Sequence, residues 1–350
     1  MAHLTENFTF EGPLSPRVRE SIAAAFEQGW ADPKKLSQAS HRAQGLRSSA
    51  IEEFAEILDL PPAAIEVVGE PNLLHHLALN GFLGAESTLH TSPIDVGKIR
   101  AVARAHGGKS SQLQLSREGE ILQPVSLNLD DVISLQATNG ETGISQDLHL
   151  WRNMSPRIVL DGTRAIPKSG LTEGFAAATF DSQSWGGPQG LGFLTINKSE
   201  IYRYPLAHIA PIRAPGSYSL PLLVGSLIAL TEYQEREKEI YLVRNSLARL
   251  LSDISGVSLV GSYQQESRYL SFVVDGISAE EVLRSLLKSG LSIDAGSACS
   301  PEDLAPSHVI AAMGYSTTGH MRATIHQGIA QSDIENLATK LREVLQTLSR

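Results

Sequence analysis

Four short apolar segments in the middle of the chain, each bounded by turn residues, constrain the fold more than any other feature. They read VISLQAT (residues 132–138), RIVLDGT (157–163), FAAATF (175–180) and LGFLTI (191–196). Strands that are apolar along their whole length are buried on both faces, which is typical of a mostly parallel sheet covered by helices. The sequence therefore predicts an α/β protein.

Helical patterns precede these strands. Ser15 followed by Pro16 is a favourable helix start, and Val18, Ile22 and Phe26 are expected on its buried face. A second helix is expected to open at the Asp-Pro pair at positions 32–33 and to run to position 58, with a break at position 45.

A long helical stretch at residues 220–254 is predicted to bridge to a second, smaller domain. In that domain, capping boxes at Ser278–Glu281 and Ser332–Glu335 predict the starts of two helices. The buried face of the last helix is expected to comprise Ile334, Leu337, Leu341, Val344, Leu345 and Leu348.

Composition excludes several classes of protein. The net charge of −9, without a long basic run, disfavours a nucleic-acid partner. No stretch of about 18 apolar residues is present, so no membrane span is predicted, and the first residues do not resemble a signal peptide. The single cysteine, Cys299, permits no internal disulfide and no four-cysteine zinc site, and no metal site is expected. A cytoplasmic location is the simplest expectation.

Five stretches together resemble the cysteine desulfurases and their class V aminotransferase relatives, which are fold-type I pyridoxal-phosphate (PLP) transferases. They read PLSPRVRESIAAAFEQGWADPKKL, ATNGETGISQDL, IVLDGTRA, GGPQGLGFL and AGSACSPEDLAPSHVIAAMGY, and they span nearly the whole chain in family order. The resemblance implies a large domain (13–235) with a mainly parallel seven-stranded sheet and a small C-terminal α/β domain (236–350, with 1–12). It also implies a homodimer, and PLP held as a Schiff base by a lysine.

Some residues match family positions. Asp161 matches the partner of the pyridinium nitrogen, or simply caps its strand end. Asn139 and Glu141 match the Asn-x-Glu turn beside the ring, although Asn-Gly is also a common turn. Ser217 matches the residue that reaches the phosphate from the partner subunit, or is an ordinary loop serine. Cys299 matches the persulfide cysteine, or is a small residue retained by descent.

The loop FDSQSWGGPQGLGFL departs from the family motif Ser-x-x-His-Lys, which lies three residues before Gly-Pro. Ser184 occupies the lysine position, Gln183 the histidine position and Asp181 the position of the phosphate-binding serine. This loop therefore resembles the active-site loop of the family, with the lysine missing.

Further departures affect the phosphate turn, which reads Glu70-Pro71-Asn72 instead of Gly-Ala-Thr. Pro71 removes an N–H donor, and Glu70 and Asp181 add negative charge near a dianionic phosphate. Each like charge at such a range costs on the order of 1–4 kcal/mol.

Three other family positions are also changed. The histidine that stacks on the ring falls on Pro93, and the glutamine that contacts the phenolic oxygen falls on Arg164. The arginine that binds the substrate carboxylate falls on Thr324, and Arg322 is expected to face the other side of that strand.

Two hypotheses remain. The first is a non-catalytic homologue without covalent PLP that acts through its surface, as a homodimer, with a protein partner in sulfur metabolism. The second is an active desulfurase or aminotransferase with unusual PLP handling, or with new chemistry around Asp161, Arg164 and Cys299. His75, His76, His320 and His326 are expected to be structural or surface residues.

Overall fold

The computed structural model describes residues 7–28, 31–152, 154, 157–208, 217–262, 264–295 and 306–349. In these residues the chain forms two β-sheets and the α-helices that pack against them. In chain order, the strands are β1 (Asn7–Phe8), β2 (Ile65–Val68), β3 (Thr88–Thr91), β4 (Lys109–Gln112), β5 (Val132–Gln136), β6 (Ile158–Asp161), β7 (Ala177–Asp181), β8 (Gly192–Ile196), β9 (Val257–Leu259), β10 (Tyr269–Val274), β11 (Ser292–Ala295) and β12 (His320–Thr324).

The larger sheet has seven strands in the order β2-β8-β7-β6-β5-β3-β4. Its pairs from β4 to β7 are all parallel, whereas β8 runs antiparallel to both β7 and β2. Strands β5, β6 and β8 are buried at every position. The predicted α/β fold with a mainly parallel seven-stranded sheet is confirmed.

The smaller sheet has five strands in the order β1-β11-β12-β10-β9. Strand β1 pairs with β11 in parallel, and the other neighbours are antiparallel. The chain segment at residues 7–8 thus lies beside residues 292–293, which belong to the C-terminal part of the chain. This pairing brings the residues that follow β1 to the edge of the larger sheet.

The helices are α1 (Pro16–Gln28), α2 (Gln38–Ile57), α3 (Leu74–Asn80), α4 (Gly97–Ala105), α5 (Leu220–Ser252), α6 (Ala279–Lys288), α7 (His308–Ala312) and α8 (Gln331–Leu348). Helix α5 continues without interruption through the predicted domain boundary at position 235, and the boundary itself stays a prediction. Among the described helices, none is long and apolar enough to cross a membrane.

Helix α1 begins at the predicted residue, with the hydroxyl of Ser15 accepting the N–H of Val18. The prediction for its buried face is wrong at Phe26, which is 54% exposed, because Ala25 takes the inward position.

Two predicted helix starts are also wrong. Helix α2 begins at Gln38, because the Ser37 side chain accepts the N–H of Ser40 and satisfies the first turn there. Helix α8 begins at Gln331, after a turn at residues 327–328, and the Asp333 carboxylate accepts the N–H of Ala330 at 2.7 Å.

On α8, Ile334, Leu337, Leu341 and Leu345 are buried as predicted, whereas Leu348 is exposed at the end of the helix. Helix α6 does follow Ser278, although the serine side chain makes no capping bond.

Candidate functional site

The loop after β7 is held in place by the protein core beneath it. Trp185 is fully buried against Phe54 and Phe193, and its indole N–H donates to the carbonyl of Ser226 on α5 at 2.9 Å. Asp181 begins a short 3-10 turn at residues 182–185 by accepting the N–H of Gln183 at 3.1 Å. The loop is therefore fixed at both ends.

Ser184, which the motif comparison predicts at the family's lysine position, is completely buried. Its hydroxyl donates to the carbonyl of Thr163, and its own carbonyl accepts from Arg268 at 2.9 Å. Arg268 also contacts Nδ1 of His326 at 2.9 Å, and Nε2 of His326 lies 2.7 Å from the carbonyl of Thr9. A continuous polar chain thus joins this loop to the N-terminal segment.

Asp161 lies at the end of β6 and is 2% exposed. Its Oδ1 accepts the backbone N–H and the hydroxyl of Thr163 at 3.0 and 2.6 Å, and it lies 3.1 Å from Nε2 of His75 on α3. Burial alone would raise the pKa of Asp161, but the charge and hydrogen bond of His75 and the bonds from Thr163 lower it far below its ordinary value. Asp161 is therefore ionised. Its Oδ1 caps the end of β6, as the structural alternative for this residue predicts.

Asn139 organises the turn after β5. Its Oδ1 accepts the N–H groups of Glu141 and Thr142, both at 2.9 Å, and its Nδ2 donates to Gln136 and to the carbonyl of Ile94. These four hydrogen bonds support the interpretation of Asn139 as a residue that stabilises the turn.

Glu141, in the same turn, points to the smaller sheet's side of the molecule and accepts the hydroxyl of Ser307. This contact links the turn after β5 to the residue that caps α7.

In the turn at positions 70–72, which resembles the family's phosphate turn, a carboxylate of the chain itself occupies a backbone N–H group. Glu70 accepts the N–H of Asn72 at 3.0 Å and caps a short 3-10 turn that leads into α3. The side chain of Asn72 is exposed. Gly69 lies so close to the carbonyl of Ser217 that an added Cβ would come within 2.5 Å of it. Ser217 is therefore next to this turn within the same chain.

Arg164 lies over the ring of Phe10, with its guanidinium carbon 4.1 Å from the ring centroid. It also lies 3.7 Å from Asp181, and its side chain passes where a Cβ on Gly140 would be. Burial raises the pKa of Asp181 despite the positive charges of Arg164 and Lys98. The N-terminal segment thus places an aromatic ring on the arginine at this edge of the sheet.

Arg322 corrects a sequence-based expectation. It lies on β12 two residues before Thr324, and residues two apart on a strand face the same side. Arg322 donates to the carbonyl of Gly140 at 2.8 Å and to Asp294, and it lies 5.9 Å from the ring of Phe10. An arginine therefore does approach the site, already bound to a carboxylate, whereas Thr324 is fully buried.

Cys299 lies outside the described residues. Within the described part of the chain, no group of three or more His, Cys, Asp or Glu side chains could hold a metal ion.

Sequence reasoning missed three residues near this site. His75 is 5% exposed and contacts Asp161, although it was expected to be structural or at the surface. Phe10 and Lys98 also reach the site, through Arg164 and Asp181. One feature of the sequence could have indicated the role of His75. It lies in the first turn of α3, directly after the turn at residues 70–72, and this end of the helix faces the ends of the strands.

Comparisons with known proteins agree with this arrangement. Residues 215–337 match the family model described as aminotransferase class-V. The chain is 24% identical over 336 residues to a protein named cysteine desulfurase IscS from Rickettsia bellii, covering 86% of this chain and 80% of the relative. It is 20% identical over 338 residues to a NifS/IcsS protein homolog from Lactobacillus delbrueckii subsp. bulgaricus, covering 86% and 85%.

Solved structures have the same fold. A NifS-like protein superimposes with a TM-score of 0.85 at 18% identity, covering 97% of this chain and 99% of that one. A NifS-like protein from Rickettsia africae gives a TM-score of 0.83 at 15% identity, covering 98% and 100%.

The two sheets and the loops at their shared edge define a protein with the PLP-transferase fold of type I. Within that class, the chain is similar to the cysteine desulfurases, and part of it matches the class V aminotransferase family model.

The residues present fit only part of PLP, the cofactor that this family normally uses. Asp161 Oδ2 is a buried acceptor without a hydrogen-bond partner among the described residues, and it would suit a ring N–H. In contrast, Glu70 and Asp181 already place carboxylates on backbone N–H groups at the two turns that resemble the phosphate site. Ser184 offers no amine, so the residues do not fit PLP as a whole.

Proposed function

We propose that this chain is a non-catalytic homologue of the cysteine desulfurases that carries no Schiff-base PLP. The single observation behind the proposal is that Ser184, the residue predicted at the lysine position, is buried with its hydroxyl donating to the Thr163 carbonyl. A hydroxyl in that position forms no aldimine and accepts no proton from a substrate carbon at neutral pH.

The phosphate turns support the same proposal. A dianionic phosphate needs N–H donors and positive charge. Here, Glu70 and Asp181 take the N–H groups and bring negative charge instead. A phosphorylated cofactor would therefore lose both its donors and its electrostatic attraction.

The protein is proposed to act as a homodimer, in the cytoplasm, with a protein partner in sulfur metabolism. The dimer in this family shares its sites between subunits, and loss of catalysis leaves the apolar interface in place. Exposed apolar residues at Leu122, Val125 and Leu129 on one surface segment are consistent with a covered face in the assembly. Sedimentation at micromolar concentration tests the dimer, and a monomer there would contradict it.

The test of the catalytic proposal is reduction with borohydride after incubation with PLP, followed by measurement of the intact mass. The expected result is the unmodified mass, together with no sulfide release from cysteine. A phosphopyridoxyl adduct at a residue of the site would refute the proposal. So would sulfide release that disappears in Cys299→Ser.

One observation favours the alternative, an active PLP-dependent desulfurase or aminotransferase with unusual cofactor handling. Lys98 lies in the first turn of α4 and is close enough to Asp181 for its charge to lower the pKa of that carboxyl against the effect of burial. A Schiff base at this lysine would give an adduct that peptide mapping assigns to Lys98 and that Lys98→Gln removes. Lys198→Gln is the matched control, because Lys198 follows β8 at another part of the sheet.

A further inference from the structure

The segment between β1 and α1 places one aromatic ring against two arginines. The guanidinium carbon of Arg164 lies 4.1 Å from the centroid of the Phe10 ring, and that of Arg322 lies 5.9 Å from the same centroid. Arg164 follows β6 of the larger sheet, whereas Arg322 lies on β12 of the smaller sheet. The ring therefore lies against a cation from each sheet. We call residues 9–13, which carry this ring, the strap.

The strap has a defined conformation. Asn7 Oδ1 accepts the backbone N–H and the hydroxyl of Thr9 at 2.9 and 2.6 Å, and Asn7 Nδ2 donates to the carbonyl of Glu11 at 3.0 Å. Gly12 lies so close to the ring of His326 that an added Cβ would come within 2.5 Å of it. These contacts hold the aromatic ring of the strap in one position over the site.

Few contacts fasten the strap to the rest of the protein. Strand β1, which precedes it, has two residues and lies at the edge of the smaller sheet. The Thr9 carbonyl accepts from Nε2 of His326 at 2.7 Å, and the Phe10 N–H donates to Asp294 Oδ2 at 2.8 Å. Residues 11–13 are exposed. Because segments with few buried contacts open locally at a low cost in free energy, the strap can lift while the core stays folded.

Arg164, under the ring, has hydrogen-bond donors in reserve. A guanidinium group carries five N–H donors. Among the described residues, those of Arg164 make one hydrogen bond, from Nη1 to the Thr163 carbonyl at 3.2 Å, and the ion pair with Asp181 is long, at 3.7 Å. A small oxyanion accepts several N–H groups at once and is therefore a suitable ligand for this side chain.

The strap also acts on Arg322, through a shared carboxylate. Asp294 Oδ2 accepts the N–H of Phe10 and also accepts from Nη2 of Arg322. The strap thus helps to hold Asp294 against Arg322, where the carboxylate takes the place of an external anion. Lifting the strap would uncover Arg164 and would also remove one of the bonds that keep Asp294 on Arg322.

We propose that the strap is an autoinhibitory cover, which keeps small oxyanions from Arg164 and Arg322 when closed and lets these arginines bind one when it lifts. An anion that binds only the open form shifts the population towards it, and the energy needed to lift the strap lowers the apparent affinity. This inference concerns access to the site and goes beyond the proposed function. No covalent bond is made or broken.

The test measures sulfate binding to the full chain from the dependence of the thermal midpoint on sulfate concentration, at constant ionic strength. Sulfate also stabilises proteins in general, because it is excluded from their surfaces, so the informative quantity is the difference between variants. Phe10→Ala is expected to bind sulfate at least about tenfold more tightly than the wild type, because its cover is already open. Equal affinities would overturn the proposal.

Two control variants separate the cover from a general loss of stability. Phe10→Tyr keeps an aromatic ring on the strap and should bind sulfate as weakly as the wild type. Phe26→Ala removes a ring that is 54% exposed on α1 and should also leave the affinity unchanged. A gain in either control similar to that in Phe10→Ala would overturn the assignment of the cover to the Phe10 ring.

The role of Arg164 is tested in the background of the open strap. Adding Arg164→Gln to Phe10→Ala should remove the gain in sulfate affinity, and a gain that persists would overturn the assignment of this arginine.

A second measurement reports access without any bound anion. Brief modification with phenylglyoxal, followed by peptide mapping, gives the rate at Arg164 relative to that at Arg284, whose side chain is 74% exposed. This ratio should rise at least about threefold in Phe10→Ala, and an unchanged ratio would overturn the cover. Either failure would leave the proposed function standing, because that proposal is tested by the borohydride experiment.

Discussion

His326 is expected to make the protein sensitive to acid, because its ring is buried and neutral in the native state. Burial, followed by the charge of Arg268, lowers the pKa of His326 from 6.5 to about 3. The partners fix the tautomer: Nε2–H donates to the Thr9 carbonyl, and Nδ1 accepts from Arg268. A proton on Nδ1 would break the chain that joins Thr9 to the site loop.

The size of the effect follows from linkage. Between pH 6.5 and pH 3 the unfolded chain binds a proton at His326 and the native protein does not, so stability falls as the pH falls through this window. Each pH unit costs about 1.4 kcal/mol, which amounts to about 3 kcal/mol at pH 4.5. The ring is only 8% exposed, so solvent screens little of this energy.

The assay is urea-induced unfolding between pH 4 and pH 7, followed by the fluorescence of Trp151 and Trp185, both fully buried. His326→Gln retains a donor and an acceptor but does not titrate. The variant is expected to be about 1 kcal/mol less stable at pH 7, and its stability should fall less steeply with acid by about 1.4 kcal/mol per pH unit. The two curves should therefore cross near pH 5–6.

Two comparisons sharpen this prediction. His208→Gln changes an exposed histidine and should leave the wild-type pH dependence unaltered. Burial also lowers the pKa of His320, to about 4, but this residue is present in both proteins and cancels in the difference. Parallel curves for wild type and His326→Gln would refute the reasoning, because they would mean that His326 binds the same number of protons in both states.

Three further predictions concern the loop after β7 and Phe10, whose ring lies against Arg164. Trp185→Phe should cost about 1–3 kcal/mol in urea unfolding, because the buried carbonyl of Ser226 loses its donor, and a change below about 0.5 kcal/mol would contradict this. Phe10→Ala should cost about 1–3 kcal/mol through lost packing and lost contact with Arg164, and an unchanged thermal midpoint would argue against that contact. Ser184→Lys should lower stability by roughly 2 kcal/mol or more, because a long side chain enters a filled space, and should give no Schiff-base absorption with PLP. A yellow, stable variant would show that the site accepts a lysine.

The sheet was predictable because its strands carry their own signal. Segments such as those at residues 132–138 and 157–163 are apolar throughout, and only burial on both faces accounts for such a composition. The start of α1 was equally local, since Ser15 and Pro16 specify it without help from the rest of the chain. The prediction failed at the starts of α2 and α8, where the Ser37 side chain accepts the N–H of Ser40 and the Asp333 carboxylate accepts the N–H of Ala330.

The sequence also determined which chemical groups the loop can offer, since Ser184 has no amine wherever it lies. Only the tertiary structure decided what surrounds that loop. His75 meets Asp161, and Phe10 meets Arg164, across long stretches of chain, and no local pattern records either contact. Strand register aligns Gln136, Asp161 and Thr179, and the docking of α3 brings His75 over them, because burial of apolar faces fixes the positions of whole elements and carries the polar side chains with them.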